Sequence, residues 1–308
     1  MFLKKPKFWD YKYISFLAIL LSPFSLIVNI FNFLKFKSDK KKKFSIPLIC
    51  IGNIYLGGTG KTPLAIELFK ILKKMNKKPA FVKKYYKNHT DEVKLLKKHG
   101  NVFTNKDRVV AINSLINRRK NVAILDDGLQ ENRIEFDLSV VCFNEKQWVG
   151  NGLLIPAGPL RENLKAIKKY NWIFINGKKN RDIERKIFSL NKNIKIFYFN
   201  YKFLNFKKLK KNKMVAFAGI GNPNNFFDLL KEKKINVIKT FEFPDHYTYT
   251  QNDLIKLKSE AKDLNSSLIT TEKDYMRINS INRKKINFFK ISLKITNKNK
   301  LMKELKKL

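Results

Sequence analysis

Six consecutive residues, Gly57-Gly58-Thr59-Gly60-Lys61-Thr62, have the types and spacing to hold a phosphate chain and a metal ion. Glycines let successive backbone N–H groups converge on phosphate oxygens, and a helix starting at the end of the run adds positive potential. Lys61 would reach the outer phosphates of a nucleotide such as ATP, and the Thr62 hydroxyl would ligate Mg²⁺. One position departs from the usual P-loop pattern, because Tyr55 stands where its first glycine falls. Further on, the apolar run Val122-Ala123-Ile124-Leu125 ends in Asp126-Asp127-Gly128. An acidic residue at the C-terminal end of a buried strand, downstream of a P-loop, is where Mg²⁺ or its water shell is usually held. A turn built on an Asp pair explains the same residues without a metal.

Other candidates are less specific. Residues 150–162, Gly-Asn-Gly-Leu-Leu-Ile-Pro-Ala-Gly-Pro-Leu-Arg-Glu, form a loop by their glycine and proline content. Arg161 within it either forks onto a phosphate or pairs with a nearby carboxylate. The chain has three histidines, His89 (close to Asp91), His99 and His246 (in Phe243-Pro244-Asp245-His246-Tyr247). A lone histidine is more often structural than catalytic. Gly219-Ile220-Gly221-Asn222-Pro223 closes a strand and opens a helix, so it binds an anion or simply turns. Thr271-Glu272-Lys273-Asp274 caps a helix with Thr271 at the N-cap, or reads a nucleotide base.

The elements that must position these residues alternate. Strand-like runs fall at 46–51, 79–82, 122–125, 138–143, 172–175 and 194–199, with helical patterns at 63–75 and 106–118 between some of them. This order predicts a parallel sheet covered on both faces. A Lys-rich linker at 206–213 leads to a second, smaller α/β unit, with strands near 214–218, 235–241, 267–270 and 286–293 and helices at 224–231, 251–264 and 298–308. The expected organisation is an N-terminal helical segment 1–38, a P-loop domain 39–205 and a C-terminal α/β domain 206–308. At 308 residues the chain is long enough for two domains. Its two cysteines, Cys50 and Cys142, both lie in apolar runs, as reduced buried thiols do. No Cys/His metal cluster is visible in the sequence.

The formal charge of +40 invites nucleic acid or an anionic membrane as partner. The lysines are spread along a chain that is also rich in Asn, Ile and Phe, which is the pattern of a general compositional bias. No recognisable nucleic-acid-binding motif is present, so nucleic acid is not an expected partner, and neither is an obligate protein partner. The N-terminus is more telling. Residues 14–34 carry no charge over 21 positions, about 31 Å as a helix and close to the hydrocarbon thickness of a bilayer. Lys4, Lys5, Lys7 and Lys12 precede the run; Lys35, Lys37 and Lys40 to Lys43 follow it, suited to anionic headgroups. Ser15, Ser22, Ser25, Asn29 and Asn32 form a polar stripe at helical spacing, which favours a helix lying in the membrane interface or packed on its own protein over a lipid-bathed span. Pro23 is expected to kink or divide the helix.

In this order, the pieces resemble one family. Gly52-Asn53 with Gly-Gly-Thr-Gly-Lys-Thr-Pro, Leu125-Asp-Asp-Gly-Leu-Gln130, the long loop ending Pro-Ala-Gly-Pro-Leu-Arg-Glu162, Phe217-Ala-Gly-Ile-Gly-Asn-Pro223, Phe243-Pro-Asp-His246 and Thr271-Glu-Lys-Asp274 are similar to the tetraacyldisaccharide 4′-kinases of lipid A biosynthesis. The resemblance implies transfer of the ATP γ-phosphate to the 4′-hydroxyl of a tetraacyldisaccharide 1-phosphate. It also implies peripheral attachment to the cytoplasmic face of a bacterial inner membrane, with the site between the domains. Two departures stand out. Lys83-Lys84-Tyr85-Tyr86 replaces the family's Ser-Arg-Gly-Tyr turn, and Thr90-Asp91-Glu92-Val93 replaces Gly-Asp-Glu-Pro after a shortened connection. On that alignment Asp91 matches the general base, aided or oriented by His246. Lys84 replaces a substrate-binding Arg, keeping the charge and losing the planar fork. Lys61 and the loop amides would hold the β- and γ-phosphates, and Thr62 with Asp126 or Asp127 would hold Mg²⁺. Gln130, Arg161 and Glu162 would orient the sugar-phosphate head.

Three other readings differ in class. A switch ATPase of the partitioning type needs a signature lysine where Leu56 stands. A nucleic-acid-binding NTPase has only the net charge in its favour. A non-catalytic membrane scaffold leaves the P-loop and the paired Asp unexplained.

Overall fold

The structure, a computed structural model, describes residues 5–36, 41–86, 90–204 and 209–308, without the side chains of 31–36 and 90. Lys4, Lys37, Lys40, His89 and residues 206–208 of the expected linker lie outside the described residues, as do the side chains of Asn32 and Lys35. Two compact units are present: a larger one of residues 5–85, 99–200 and 293–308, and a smaller one of 86–98 and 201–292. These units differ from the sequence boundaries because packing, not chain order, defines them. Helix α3 (Thr90–Lys97) packs on α8 (Glu272–Arg277), so the segment carrying Asp91 belongs with the C-terminal strands.

In the larger unit, β1 (Leu48–Gly52), β2 (Pro79–Lys84), β3 (Val102–Asn105), β4 (Val122–Asp126), β5 (Leu138–Asn144), β6 (Trp172–Asn176), β7 (Lys195–Phe203) and β12 (Ile291–Ile295) form a sheet in the order β12-β7-β6-β5-β1-β4-β2-β3. Every pair from β7 to β3 is parallel. Alternate residues of neighbouring strands (Leu48 and Cys50, Ala80 and Val82, Ala123 and Leu125, Val141 and Phe143, Ile173 and Ile175) enter one buried cluster, as a period of two requires. Both faces are covered, so the strands read as continuous apolar runs. The order reverses direction around β1, which leaves a crevice at the C-terminal strand ends, the usual ligand position in such sheets. Cys50 and Cys142 are buried free thiols, and burial pushes both thiol pKa values up.

Helix α2 (Lys61–Lys74) buries Leu64, Leu68, Ile71 and Leu72 against this sheet, each worth about 1.5–3 kcal/mol. Helix α4 (Arg108–Asn117) is capped by Asp107, whose side chain accepts from the Val109 N–H at 2.9 Å. Strand β3, α3 and α5 (Arg181–Leu190) were not legible in the sequence. β3 is short and half-buried, and α5 commits only Ile183 and Ile187 to the core. The smaller unit has a parallel sheet, β11-β10-β8-β9, from β8 (Met214–Ala218), β9 (Val237–Glu242), β10 (Ser267–Thr271) and β11 (Ile286–Phe289). Helices α6 (Pro223–Glu232) and α7 (Gln251–Asp263) flank it in sequence, and α9 (Lys298–Leu305) ends the chain. The apolar stretch expected as one strand at 286–293 is two, β11 and β12, in different sheets.

Helix α1 (Phe16–Phe36) is continuous, with Pro23 inside it. Proline deprives the Ile19 carbonyl of its i+4 donor; the Ser22 hydroxyl donates to that carbonyl instead, at 2.7 Å. The serines of the polar stripe lie on the inner side, Ser25 buried with Ser15 and Ser22 half-buried, whereas Asn29 is exposed. Ala18 and Ser25 are buried, and Ser25 Oγ donates to the Leu154 carbonyl at 2.8 Å while accepting from the Ala157 N–H at 3.2 Å. The apolar side faces out: Phe16 is 79 % exposed, Leu20 61 % and Leu26 63 %. Among the described residues no helix is long and apolar enough to cross a membrane.

Candidate functional site

Two groups of functional side chains form, one in each unit. In the larger unit the chain leaves β1 at Gly52 and turns through Asn53, which is buried. Asn53 Nδ2 donates to the carbonyls of Tyr55 and Gly57, which fixes the turn of the loop from inside. Gly60 sits at φ 93° as the N-cap of α2, a conformation costly for any residue with a Cβ. Tyr55, in place of the usual glycine, is fully buried, with its hydroxyl against Lys5 and Asp10.

The 150–162 loop is the platform under this turn. Leu56 N–H donates to the Pro159 carbonyl at 2.7 Å, and Arg161 N–H to the Ile54 carbonyl at 2.7 Å. Trp9 Nε1 donates to the Pro156 carbonyl at 2.9 Å on the side of the N-terminal segment. Gly158 admits no side chain, because a Cβ there would lie 2.3 Å from the Leu153 carbonyl oxygen and from Asn151 Oδ1. The glycine and proline density of this stretch is therefore architectural. Within the same unit it ties the P-loop to the segment that includes α1.

Thr62 Oγ1 donates to Asp126 Oδ2 at 3.0 Å, and Lys83 Nζ reaches the same oxygen at 2.7 Å. Asp127 turns elsewhere, with Lys61 Nζ at 3.8 Å and Arg161 Nη1 at 3.2 Å from its Oδ1. The two aspartates thus separate: Asp126 lies with Thr62, and Asp127 with the cations that would face phosphate. Of the alternatives for Arg161, the carboxylate pair is the one formed. Gln130 Nε2 and the Tyr170 hydroxyl each donate to Glu162 at 3.0 Å. Burial, then the Glu162 charge, pushes the Tyr170 phenol up, so it stays a donor. Glu162 is itself buried, and it braces Gln130 from inside. Lys84, at the end of β2, is partly exposed.

Among the described residues, no three His, Cys, Asp or Glu side chains converge as a metal cage. Phosphate-bound Mg²⁺ needs none, since phosphate oxygens and water fill most of its shell. Asp126 fits that role: its Oδ1 is buried without a hydrogen-bond partner, beside the Thr62 hydroxyl that shares Oδ2.

In the smaller unit, Asp91 and His246 come together, with His246 Nδ1 3.4 Å from Asp91 Oδ1. Arg277 clamps the other oxygen, Nε at 2.9 Å and Nη2 at 2.8 Å from Oδ2. Lys273 Nζ lies 2.9 Å from Glu92 Oε1 and 3.4 Å from His246 Nε2. Burial alone would raise the Asp91 carboxyl, but the His246 hydrogen bond and the Lys273 and Arg277 charges outweigh it and hold it well below the usual carboxylate range.

Asp274 is the buried keystone, accepting from the Gly219 N–H, the Tyr249 hydroxyl, Thr271 Oγ1 and Arg277 Nη1. Thr271 caps α8, and Asn222 caps α6 by accepting from the Asn225 N–H at 3.2 Å. Thr271-Glu-Lys-Asp274 and Gly219-Ile-Gly-Asn-Pro223 therefore act as scaffold for the Asp91–His246 pair. Sequence reasoning assigned no role to Lys83, Lys273 or Arg277. Strand register is the signal for Lys83, since Val82 pairs with Leu125 and the next step sets Lys83 beside Asp126; Lys273 lay inside a motif already singled out.

A model of the LpxK family, tetraacyldisaccharide-1-P 4′-kinase, matches residues 17–308. A tetraacyldisaccharide 4′-kinase of Pelagibacter ubique is 45 % identical over 100 % of this chain and 99 % of its own length. One from Rickettsia akari is 35 % identical over 90 % of this chain and 89 % of its own. Among solved structures, LpxK from Aquifex aeolicus in complex with ATP superposes with a TM-score of 0.72 at 25 % identity, covering 94 % of this chain and 99 % of that one.

Proposed function

From the premise that the chain belongs to the tetraacyldisaccharide-1-phosphate 4′-kinase family, we propose that it transfers the γ-phosphate of ATP to the 4′-hydroxyl of a tetraacyldisaccharide 1-phosphate. The observation that carries this is the P-loop group, where a helix N-terminus, Lys61, and Thr62 on Asp126 are assembled as phosphoryl transfer requires. Lys61 and the loop amides hold the β- and γ-phosphates. Thr62 and Asp126 would hold Mg²⁺, which when bound would offset the charge that develops on the phosphates. Asp127 pairs with both Lys61 and Arg161 and so steadies the two cations.

In the smaller unit, the proton of the attacking hydroxyl passes to the Asp91–His246 pair. Asp91, ionised throughout the physiological range, accepts the proton, and His246 lies against it to orient the carboxylate. Arg161 and Lys84 face the anionic head of the lipid, and Gln130, braced by Glu162, orients its sugars. The assay that tests the whole reading supplies Mg·[γ-³²P]ATP and tetraacyldisaccharide 1-phosphate in detergent micelles. A labelled bisphosphorylated lipid is the expected product; ATP hydrolysis without labelled lipid would sink the reading in favour of a switch ATPase.

The outward apolar face of α1 supports peripheral attachment to the cytoplasmic leaflet of the inner membrane. Lys5, Lys7 and Lys12 before it, and Lys41 to Lys43 after it, meet anionic headgroups. Deleting the segment would also remove Trp9 and Ser25 from the 150–162 platform, so the discriminating variant is Leu20→Glu with Phe24→Glu. Sedimentation with phosphatidylglycerol-containing vesicles is expected to drop at least about tenfold, the scale of two lost apolar insertions, with the circular dichroism unchanged. Pelleting equal to wild type would place the attachment elsewhere.

A further inference from the structure

We infer that Lys83 is a built-in counter-cation of Asp126, which Mg²⁺ has to displace, so that the chain admits the metal together with nucleotide and excludes it otherwise. The inference rests on the reading of Asp126 as a metal ligand and goes beyond it. Lys83 lies on β2, within a strand whose other residues up to Val82 are core, and its side chain is 5 % exposed. A charge so buried has to be paired. Its ammonium meets Asp126 Oδ2 at 2.7 Å, the oxygen that also accepts from Thr62 at 3.0 Å. Asp126 is itself fully buried.

The P-loop lysine is not the residue concerned. Lys61 lies with Asp127 on the phosphate side, so the two lysines divide the two aspartates between them. A divalent cation on Asp126 would sit a few ångströms from a second positive charge in surroundings of low effective dielectric, where like charges repel strongly. One carboxylate offsets only one of those three positive charges. A bound triphosphate supplies the missing negative charge, and the flexible four-carbon stem of a lysine, a compact point charge, can turn from the carboxylate to a phosphate oxygen. Metal and nucleotide then favour each other reciprocally, because each site's affinity rises when the other is filled. In the nucleotide-free chain Lys83 also keeps Asp126 from standing as an unpaired buried anion.

The test measures Mn²⁺ binding by electron paramagnetic resonance on the full-length protein, with and without a non-hydrolysable ATP analogue. Lys83→Met is expected to bind Mn²⁺ about tenfold more tightly than wild type when nucleotide is absent, and nearly alike when it is present, so that the linkage between the two ligands shrinks about tenfold. Nucleotide-free affinities that are equal in the two proteins overturn the inference. Asp126→Asn separates this from the underlying reading: Mn²⁺ binding that survives in its analogue complex refutes Asp126 as a ligand, and the inference falls with it. Binding lost in Asp126→Asn while Lys83→Met behaves as wild type refutes the Lys83 role alone. Should Lys83→Met not fold, Lys83→Gln is measured in the same way: tighter nucleotide-free Mn²⁺ binding than wild type is expected, and equal affinities overturn the inference.

Discussion

Replacing Lys61 by alanine abolishes phosphoryl transfer and leaves the fold standing. Lys61 opens α2 at the glycine turn, with its ammonium 3.8 Å from Asp127. No other group of the P-loop carries a positive charge, so its loss removes the charge that faces the outer phosphates. A fall of about a thousandfold or more in turnover is expected, the upper end for removing one preorganised stabilising group. The fold has little to lose: Lys61 is partly exposed, and Asp127 keeps Arg161 at 3.2 Å, so the change in stability stays within about 1 kcal/mol. Initial rates, a nucleotide-binding isotherm and a thermal melt measure the three terms. A variant with more than a tenth of wild-type turnover would remove Lys61 from the mechanism, and with it the nucleotide assignment of the loop.

Asp91→Asn costs turnover by at least about a hundredfold, the lower range for a positioned proton acceptor, with ATP affinity nearly unchanged. Asparagine keeps the shape but gives up the charge that faces His246, Arg277 and Lys273. Stability falls as well, by about 3–5 kcal/mol at neutral pH if the pair behaves as a broken buried ion pair, less to the extent that Arg277 keeps Asp274 at 2.7 Å. The pH dependence identifies the cause. The folded-state pKa of Asp91 is depressed, so its contribution is complete above the unfolded value near about 3.9 and disappears as pH falls through the acid range toward the folded one. The stability gap between wild type and Asp91→Asn therefore narrows as the pH falls below about 5 and is still narrowing toward the lowest accessible pH. A gap that does not depend on pH would mean the carboxylate charge is not what the asparagine removed. Turnover that survives the substitution would pass the proton to another group.

The parts legible in the sequence are those set by near neighbours along the chain. Gly57 to Thr62 between an apolar run and an amphipathic pattern reads as a phosphate loop because backbone freedom, helix start and side-chain reach are all decided within a few residues. The Thr271 cap and the buried cysteines follow in the same way, from one turn of helix or one alternating run. Asp91 and His246 could be named only through a family resemblance, since nothing in their own neighbourhoods distinguishes them from structural residues.

Everything that joins distant segments came from packing. Arg277 meets Asp91 across 186 positions, and Lys83 meets Asp126 across 43; no periodicity carries information over such spans, because strand register and helix docking are chosen by the whole core. The same holds for residues 86–98, which the chain places amid the P-loop strands and α3 assigns to the smaller unit. It holds also for α1, whose polar stripe fits either the membrane interface or packing on the protein itself until Ser25 is found bonded to Leu154 and Ala157. The sequence alone determined the chemistry available to this protein, because residue types and short spacings set what a phosphate or a proton can meet. Tertiary structure alone decided which charges face one another, because only the folded core brings buried ions within pairing distance and makes leaving them unpaired costly.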